Sequence, residues 1–248
     1  MDQTSEPATL PQKSVVQPVR ALAPAWHTAV LIVVVLIFSY AGAQSEHALA
    51  TKQGKIPQYL ATIAWEWLLF AYVWWGVRRS GTTVRELIGG RWRTIEDVLM
   101  DIVVAIGFWW AAAIVLAATA YAVGMVDPAK VQEARRQLEF LVPRTMAESL
   151  VWLGVSATAG FCEEFIFRGY LQRQIGFLSR NIWLGMVISA LLFGAAHGYE
   201  GPRRMVMIAV FGMMFSLLAH WRRSLRPGMI AHTGHDVASG ILSRFIAG

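Results

Sequence analysis

The sequence predicts an all-α membrane protein, a polytopic bundle of about seven transmembrane helices. Of its 248 residues, 56% are apolar and only 15% are charged, whereas about a quarter of the residues in a soluble domain carry charge. The apolar residues gather into runs long enough to cross a bilayer. No run alternates with the period of two that is typical of a membrane-spanning strand. The composition also excludes a disordered chain, a collagen-like repeat and a disulfide scaffold.

Seven apolar runs predict the individual spans. They cover residues 26–43, 57–77, 98–126, a run beginning at 146, 182–197, 205–221 and 229–246. The fourth run carries Glu163 and Glu164 at its end. The later runs are shorter and contain more polar groups, so we expect them to be shielded by other helices rather than by lipid.

The runs divide the chain into four parts. These are a polar lead-in at residues 1–25, three N-terminal transmembrane helices at 26–126, a polar interfacial segment at 127–144 and a helix bundle at 145–248. Ala41-Gly42-Ala43 resembles a signal-peptidase site. The leader before it is long and weakly basic, so we interpret the first run as an uncleaved span.

The distribution of basic residues predicts the orientation of the bundle. The loop after the second span is the most basic and holds Arg78, Arg79, Arg85, Arg91 and Arg93. Basic loops stay in the cytoplasm, which places the N-terminus inside, although the basic residues of the segment at 127–144 oppose this orientation.

The net charge of +6 fits cytoplasmic loops and contact with lipid headgroups. The basic residues are not interleaved with aromatic ones, so the sequence predicts no nucleic-acid partner. Cys162 is the only cysteine of the sequence and forms no internal disulfide.

Ionisable groups inside a span cost at least ~2.5–3.5 kcal/mol each, and here they concentrate in the last four runs. Glu164 and Arg168 lie four residues apart, on one helical face, and are predicted to form an ion pair. Glu163 points roughly 100° away. The Glu164 carboxylate is therefore expected to be held by the charge of Arg168, and the Glu163 carboxylate is left available for another role.

Two further clusters follow on separate helices. Phe193 and His197 share a helical face, and so do His232 and Asp236. Taken alone, each polar residue has a structural explanation: the glutamates as interfacial ion pairs, and His197 as a satisfied histidine at the membrane edge. Glu66 in the second span either has a function or faces a water-filled groove. Separate structural explanations for each residue do not account for ionisable side chains on three different helices of the same bundle.

The series Glu163-Glu164-x-x-x-Arg168, Phe193-x-x-x-His197 and His232-x-x-x-Asp236 resembles the motifs of the CPBP family of intramembrane proteases. This family includes CAAX prenyl endoproteases of the Ras-converting type and bacteriocin-immunity relatives. The string from Glu163 to Leu171 is close to the usual family form, and the resemblance extends from Met146 to the C-terminus.

The resemblance implies a helical bundle whose catalytic cavity is formed by the last four helices. It implies that Glu163 is the catalytic carboxylate, that His197 helps to activate water, and that His232 and Asp236 stabilise the oxyanion. Glu164, Arg168 and Phe193 would support the site. The family usually has Asn at the position of Asp236, which leaves the role of this residue open. One turn from His232, its carboxylate is placed to accept a hydrogen bond from the imidazole.

The chemistry of the residues agrees with peptide hydrolysis, which needs a base to activate water and a donor to hold the oxyanion. Neither a serine nor a cysteine nucleophile with an adjacent base is evident. Zinc stays an alternative, because Glu163, His197 and His232 form a plausible ligand set. We slightly favour a glutamate mechanism that requires no cofactor.

The sequence is therefore interpreted as an intramembrane endopeptidase acting on a membrane-associated peptide or protein. Its minimal loops suggest a bacterial inner-membrane protein, with the lipid bilayer as its surroundings. Two alternatives stay open. One is a catalytically silent binding or immunity protein of the same fold, which Asp236 favours. The other is a proton or ion transporter that uses Glu163 and His197 as a relay, which the lack of visible repeats disfavours.

Overall fold

The computed structural model describes residues 20–53, 55–139 and 141–246. Helices account for nearly all of the regular structure in these ranges, and the described residues contain no β-strand, only an isolated bridge between Gly89 and Ser224. The N-terminal helices are α1 (Ala25–Gln53), α2 (Lys55–Arg79), α3 (Val84–Ile88), α4 (Ile95–Ala122) and α5 (Pro128–Leu138). The C-terminal ones are α6 (Met146–Glu163), a π-helical segment (Glu164–Leu171), α7 (Gln172–Leu178), α8 (Ile182–Ala196), a 3-10 turn (Gly198–Glu200), α9 (Pro202–Arg222) and α10 (Arg226–Ile246). The prediction of an all-α membrane bundle is confirmed. Most of the predicted lead-in at 1–25 lies outside the described residues.

Three helices begin with the same local device. The hydroxyl oxygens of Thr83, Thr94 and Thr145 each accept a hydrogen bond from the backbone N–H three residues on, and the acidic side chain at that position accepts one from the threonine N–H. This reciprocal pairing satisfies donors that a helix start leaves free. At the start of α3 the hydrogen bonds from Thr83 hold the pKa of the exposed Glu86 carboxyl below its usual value.

Within the described ranges, five helical stretches are long and apolar enough to cross a membrane, and the sequence predicts seven spans. They are Ala25–Gln44, Lys55–Arg79, Ile95–Ala122, Met146–Leu178 and Pro202–Arg222. The two other predicted spans correspond to α8, which is apolar but has only 15 residues, and to α10, which is not among the apolar helices. Both pack against neighbours, α8 on α7 and α9, and α10 on α4 and α6. Helices covered in this way need less apolar length than helices that face lipid.

The outward face of α4 shows where lipid lies. Leu99, Val103, Ile106, Trp110 and Ile114 recur at helical spacing, and each is more than half exposed. An apolar stripe of this length is not left in water by a soluble protein. Its exposure agrees with an integral membrane protein.

The fourth apolar run carries Glu163 and Glu164 at its end, and α6 ends at Glu163. The chain stays helical beyond this point, through the π-helical segment, all eight residues of which are buried, and on into α7. The polar residues that interrupt its apolar pattern find partners inside the protein. Gln174, for example, bonds the backbone of Leu22 and Ala23. π-Helical turns inside α-helices occur frequently at functional sites.

Candidate active site

A buried ion pair on the π-helical segment anchors the candidate site. Arg168 donates from Nη1 to Glu164 Oε1 at 2.9 Å, and from Nη2 to the carbonyl of Gly212 on α9 at 3.2 Å. Glu164 is 0% exposed and Arg168 is 1% exposed. A side chain at Gly212 would crowd Phe193 and the guanidinium. Two charges removed from water in this way are held in one geometry, which makes the pair a fixed point for its neighbours.

His232 of α10 is held by this pair. Its Nδ1 lies 3.1 Å from Glu164 Oε1. An ionised carboxylate only accepts hydrogen bonds, so Nδ1 donates and the orientation of the ring is fixed. The opposite nitrogen, Nε2, then lies 3.4 Å from Glu163 Oε2 and 3.7 Å from Asp236 Oδ2. The expected hydrogen bond between Asp236 and His232 is thus replaced by one to Glu164, which the sequence did not indicate.

His197 follows the last residue of α8 and approaches Glu163 from the other side. Its Nδ1 lies 2.9 Å from the carbonyl oxygen of Phe193. Because a carbonyl only accepts, Nδ1 carries the proton, and Nε2 of the neutral ring has a free lone pair. That Nε2 lies 3.9 Å from Glu163 Oε1, a separation across which a water molecule can bridge the two groups.

The ring of Phe193 fills the space between these groups. The guanidinium carbon of Arg168 lies 4.2 Å from its centroid, and the rings of His197 and His232 lie 4.9 and 6.0 Å away. A cation over one face and imidazoles at the edge suit the quadrupole of an aromatic ring. Phe193 therefore packs the anchoring pair against both histidines.

Asp236 is placed by the packing of α10 on α6. The indole nitrogen of Trp152 donates to the Asp236 backbone carbonyl at 2.9 Å. Gly160 and Gly240 permit this close packing, because a side chain at Gly160 would overlap Thr233 and one at Gly240 would overlap Trp152. The Asp236 carboxylate then faces the same space as Glu163 and His232.

Two adjoining cavities, of about 500 Å³ and about 250 Å³, meet at these residues. Glu163 and His197 line both, whereas His232 and Asp236 line the larger one. The sequence predicts a cavity formed by the last four helices, but N-terminal helices also contribute to the lining. Residues of α2 line both cavities and residues of α1 line the smaller one. The reason is that α2 packs on α6 and the π-helical segment, and α1 packs on α8 and the 3-10 turn.

The sequence reasoning did not assign two residues from these N-terminal helices. Ser39 of α1 donates to the carbonyl of Ala195 at 2.6 Å and accepts from the amide of Gly198 at 3.0 Å, which bridges the chain on both sides of His197. A lone serine in an apolar span gives no signal of such a role. Glu66 of α2 is buried and lines both cavities. Its signal was available, since a carboxylate inside a span is costly.

Glu163, His197 and His232, the zinc ligands that the sequence offers as an alternative, lie around one space. In the described ranges, no three side chains of His, Cys, Asp or Glu are arranged as a group that could hold one. Nδ1 of each histidine is engaged, with Phe193 or with Glu164, and both Nε2 atoms face Glu163, at 3.9 and 3.4 Å. Histidines that bind a metal are commonly held in this way, so zinc stays an alternative to the glutamate mechanism.

A comparison with protein families places this geometry in context. The family model described as "Type II CAAX prenyl endopeptidase Rce1-like" matches residues 145–238. No curated protein and no solved structure matches the chain. The matched range contains all seven residues that the sequence reasoning singled out for the site, while Ser39 and Glu66 lie outside it.

Proposed function

We propose, from the match of residues 145–238 to the Rce1-like family of type II CAAX prenyl endopeptidases, that this membrane protein is an endopeptidase whose base is Glu163. One observation carries the proposal. The Glu163 carboxylate projects into the cavities between His197 and His232, and its Oε2 accepts no hydrogen bond from a donor among the described residues. A buried carboxylate without such a donor is available to take a proton.

The first step assigned to the site is activation of water. A water molecule between Glu163 Oε1 and His197 Nε2 would meet two acceptors, because the proton of His197 lies on Nδ1. Glu163 removes one proton of the water, while His197 Nε2 accepts a hydrogen bond from its other O–H. The resulting hydroxide attacks the peptide carbonyl. The same carboxyl then returns the proton to the departing nitrogen, so Glu163 ends the cycle as it began.

The second step is stabilisation of the oxyanion. His232 is turned by Glu164 so that Nε2 faces the cavity. With a proton on that nitrogen, the ring donates to the developing negative charge, and the carboxylates around it favour this form. Asp236 lies beside the same position and donates to the oxyanion only when it is itself protonated. His232 is therefore the principal donor in this proposal.

The proposed substrate is a membrane-associated peptide or protein segment, which reaches the cavities from the lipid bilayer. The family description names prenylated substrates, but no feature of these cavities selects a prenyl group over another apolar chain. We place the protein in a bacterial inner membrane on the support of its minimal loops. The basic loop after α2 supports an N-terminus in the cytoplasm. No nucleic-acid partner and no required cofactor form part of the proposal.

A second candidate is a binding or immunity protein that kept the fold without turnover. Asp236 favours it, because a carboxylate beside the oxyanion position repels the charge that a proteolytic transition state develops. The two candidates differ in whether a peptide bond is cut.

The experiment that separates them compares membrane peptides from cells that contain the wild type or Glu163→Ala. We expect at least one membrane-associated peptide to accumulate uncut with Glu163→Ala, and its new terminus to be absent. Glu86→Ala, which removes an exposed carboxylate of α3 far along the chain from the site, should give the wild-type pattern. Identical termini in all three strains would reject hydrolysis in favour of the binding protein.

Asp236→Asn is expected to leave an active enzyme, with kcat within about tenfold of wild type. The side-chain amide donates to the oxyanion, and His232 keeps its orientation because Glu164 holds it. The measurement is cleavage of the identified peptide by purified protein, with and without a metal chelator. Loss of activity in Asp236→Asn, together with inhibition of the wild type by the chelator, would instead make Asp236 a metal ligand.

A further inference from the structure

A third carboxylate reaches the reaction centre from outside the family-matched segment. Glu66 lies in the middle of α2, and only 9% of it is exposed. It lines both cavities, as Glu163 and His197 do. If Glu66 faced a water-filled groove by chance, it would not be expected at the junction of the two cavities, where Glu163 lies.

Glu66 and Glu163 are each only 9% exposed, and they line the same two cavities at their junction. Oε2 of each carboxyl is buried and meets no N–H or O–H donor within the described part of the chain. No ion pair joins Glu66 to a basic side chain among those residues either, whereas Glu164 has Arg168. Without a basic partner, two carboxyls buried side by side cost less free energy when one of them holds a proton. In that form one carboxyl can donate to the other, whereas two ionised carboxylates both only accept.

Such a hydrogen bond completes the set of groups around Glu163. His197 and His232 lie near its two oxygens, at 3.9 and 3.4 Å, too far for a direct hydrogen bond. A protonated Glu66 at the same junction is placed to supply the hydrogen bond that these histidines do not. A carboxylate with no such partner would rotate freely, and a base must be fixed at the water that it deprotonates.

We propose that Glu66 is a positioning residue that donates a hydrogen bond to Glu163 and fixes this carboxylate toward the attacking water. The inference rests on the hydrolytic function proposed above and extends the reaction centre to α2. The shared proton stays within the pair during turnover. The proton that Glu163 takes from water is the one that passes to the leaving nitrogen, so Glu66 is neither consumed nor bonded to substrate.

Two substitutions separate this role from the alternatives. Glu66→Gln keeps a donor in the same place, because the side-chain amide can bond Glu163, and kcat should stay within a few-fold of wild type. Glu66→Leu fills similar space without a donor, and kcat should fall by about 10- to 100-fold with KM little changed, the scale of losing one hydrogen bond to a charged group. Glu86→Gln, an exposed carboxylate in α3, is the matched control and should behave as wild type.

Near-normal kcat in both Glu66→Gln and Glu66→Leu would overturn the proposal, since Glu66 would then only fill space. Equal loss in both would also overturn it and assign Glu66 as an ionised group, a second base or a metal ligand. Glu163→Gln is measured in parallel. If it cleaves normally, the proposed function fails; if it is inactive while Glu66→Leu is not, only the role of Glu66 fails.

A second measurement does not depend on activity or on the folding of Glu66→Leu. Infrared spectra of wild type carrying isotope-labelled glutamate should show the carbonyl stretch of a protonated glutamic acid at neutral pH. The band should be lost in Glu66→Gln and persist in Glu86→Gln. Its absence from the wild type would overturn the shared proton and, with it, the proposal.

Discussion

Glu163→Gln is expected to lower kcat by about 10²–10⁴-fold, the scale of removing a general base. The amide has the shape of the carboxylate and still fits between His197 and His232. It has no basic oxygen that can take a proton from water, so the attack on the peptide carbonyl loses its nucleophile. The measurement is cleavage of the identified peptide by purified protein in one detergent or lipid.

The thermal unfolding of the same Glu163→Gln sample serves as its control. Removing a buried charge that has no basic partner in direct hydrogen-bond contact should not lower the melting temperature. If a folded Glu163→Gln protein cleaves the peptide at nearly the wild-type rate, Glu163 is not the general base and the glutamate mechanism is rejected. Loss of activity together with loss of folding would call for Glu163→Asp, which keeps the charge but moves it, and which should be folded and slow.

Local spacing carried the most reliable part of the sequence reasoning. The pair of Glu164 and Arg168 was predicted from a four-residue separation, and the structure contains it at 2.9 Å. Such a pair needs only the geometry of one helix, which the sequence states directly. The proximity of Phe193 to His197 has the same origin, since His197 bonds the Phe193 carbonyl one turn earlier.

Contacts between helices were harder to foresee. The sequence paired Asp236 with His232 because they are one turn apart, yet His232 bonds Glu164 of a different helix. The choice depends on how α10 is rotated against the π-helical segment, and that rotation is set by close packing at positions such as Gly160 and Gly228. Periodicity along one helix contains no information on its rotation against another.

The contribution of the N-terminal helices was missed for a related reason. Ser39 carries no motif, and the cost of a carboxylate inside a span marks Glu66 without saying what it faces. Their importance comes from where α1 and α2 place them, Ser39 on the carbonyl of Ala195 and Glu66 in the lining of both cavities. Among the described residues, the two predicted spans without a long apolar helix are α8 and α10. Other helices cover both of them, and hydropathy alone does not report such cover.

Arg168→Ala is expected to destabilise the protein by about 3–5 kcal/mol, the cost of breaking a buried ion pair by removing one partner. Glu164 would be left 0% exposed, with His232 as its remaining partner in the site. The carbonyl of Gly212 and the face of Phe193 would lose their contacts as well. Activity should fall with stability, because His232 is oriented through Glu164. The measurement is the melting temperature together with kcat.

The exposed pair between Arg144 and Glu139 provides the matched control for Arg168→Ala. Arg144→Ala removes the same side chain from a solvated position and should change stability by only about 0–1 kcal/mol. Equal destabilisation by the two substitutions would mean that burial of the Glu164–Arg168 pair is not what makes it important.

The double variant Glu164→Leu with Arg168→Met separates stability from catalysis. Replacing both charges by apolar groups of similar size leaves no unpaired ion, so the melting temperature should recover toward wild type. Activity should not recover, because Nδ1 of His232 has lost its acceptor and the ring is no longer held toward the oxyanion. Full thermal stability with a selective loss of activity in Arg168→Ala itself would contradict this account. Arg168 would then act on the substrate directly, and the ion pair with Glu164 would serve to place its guanidinium.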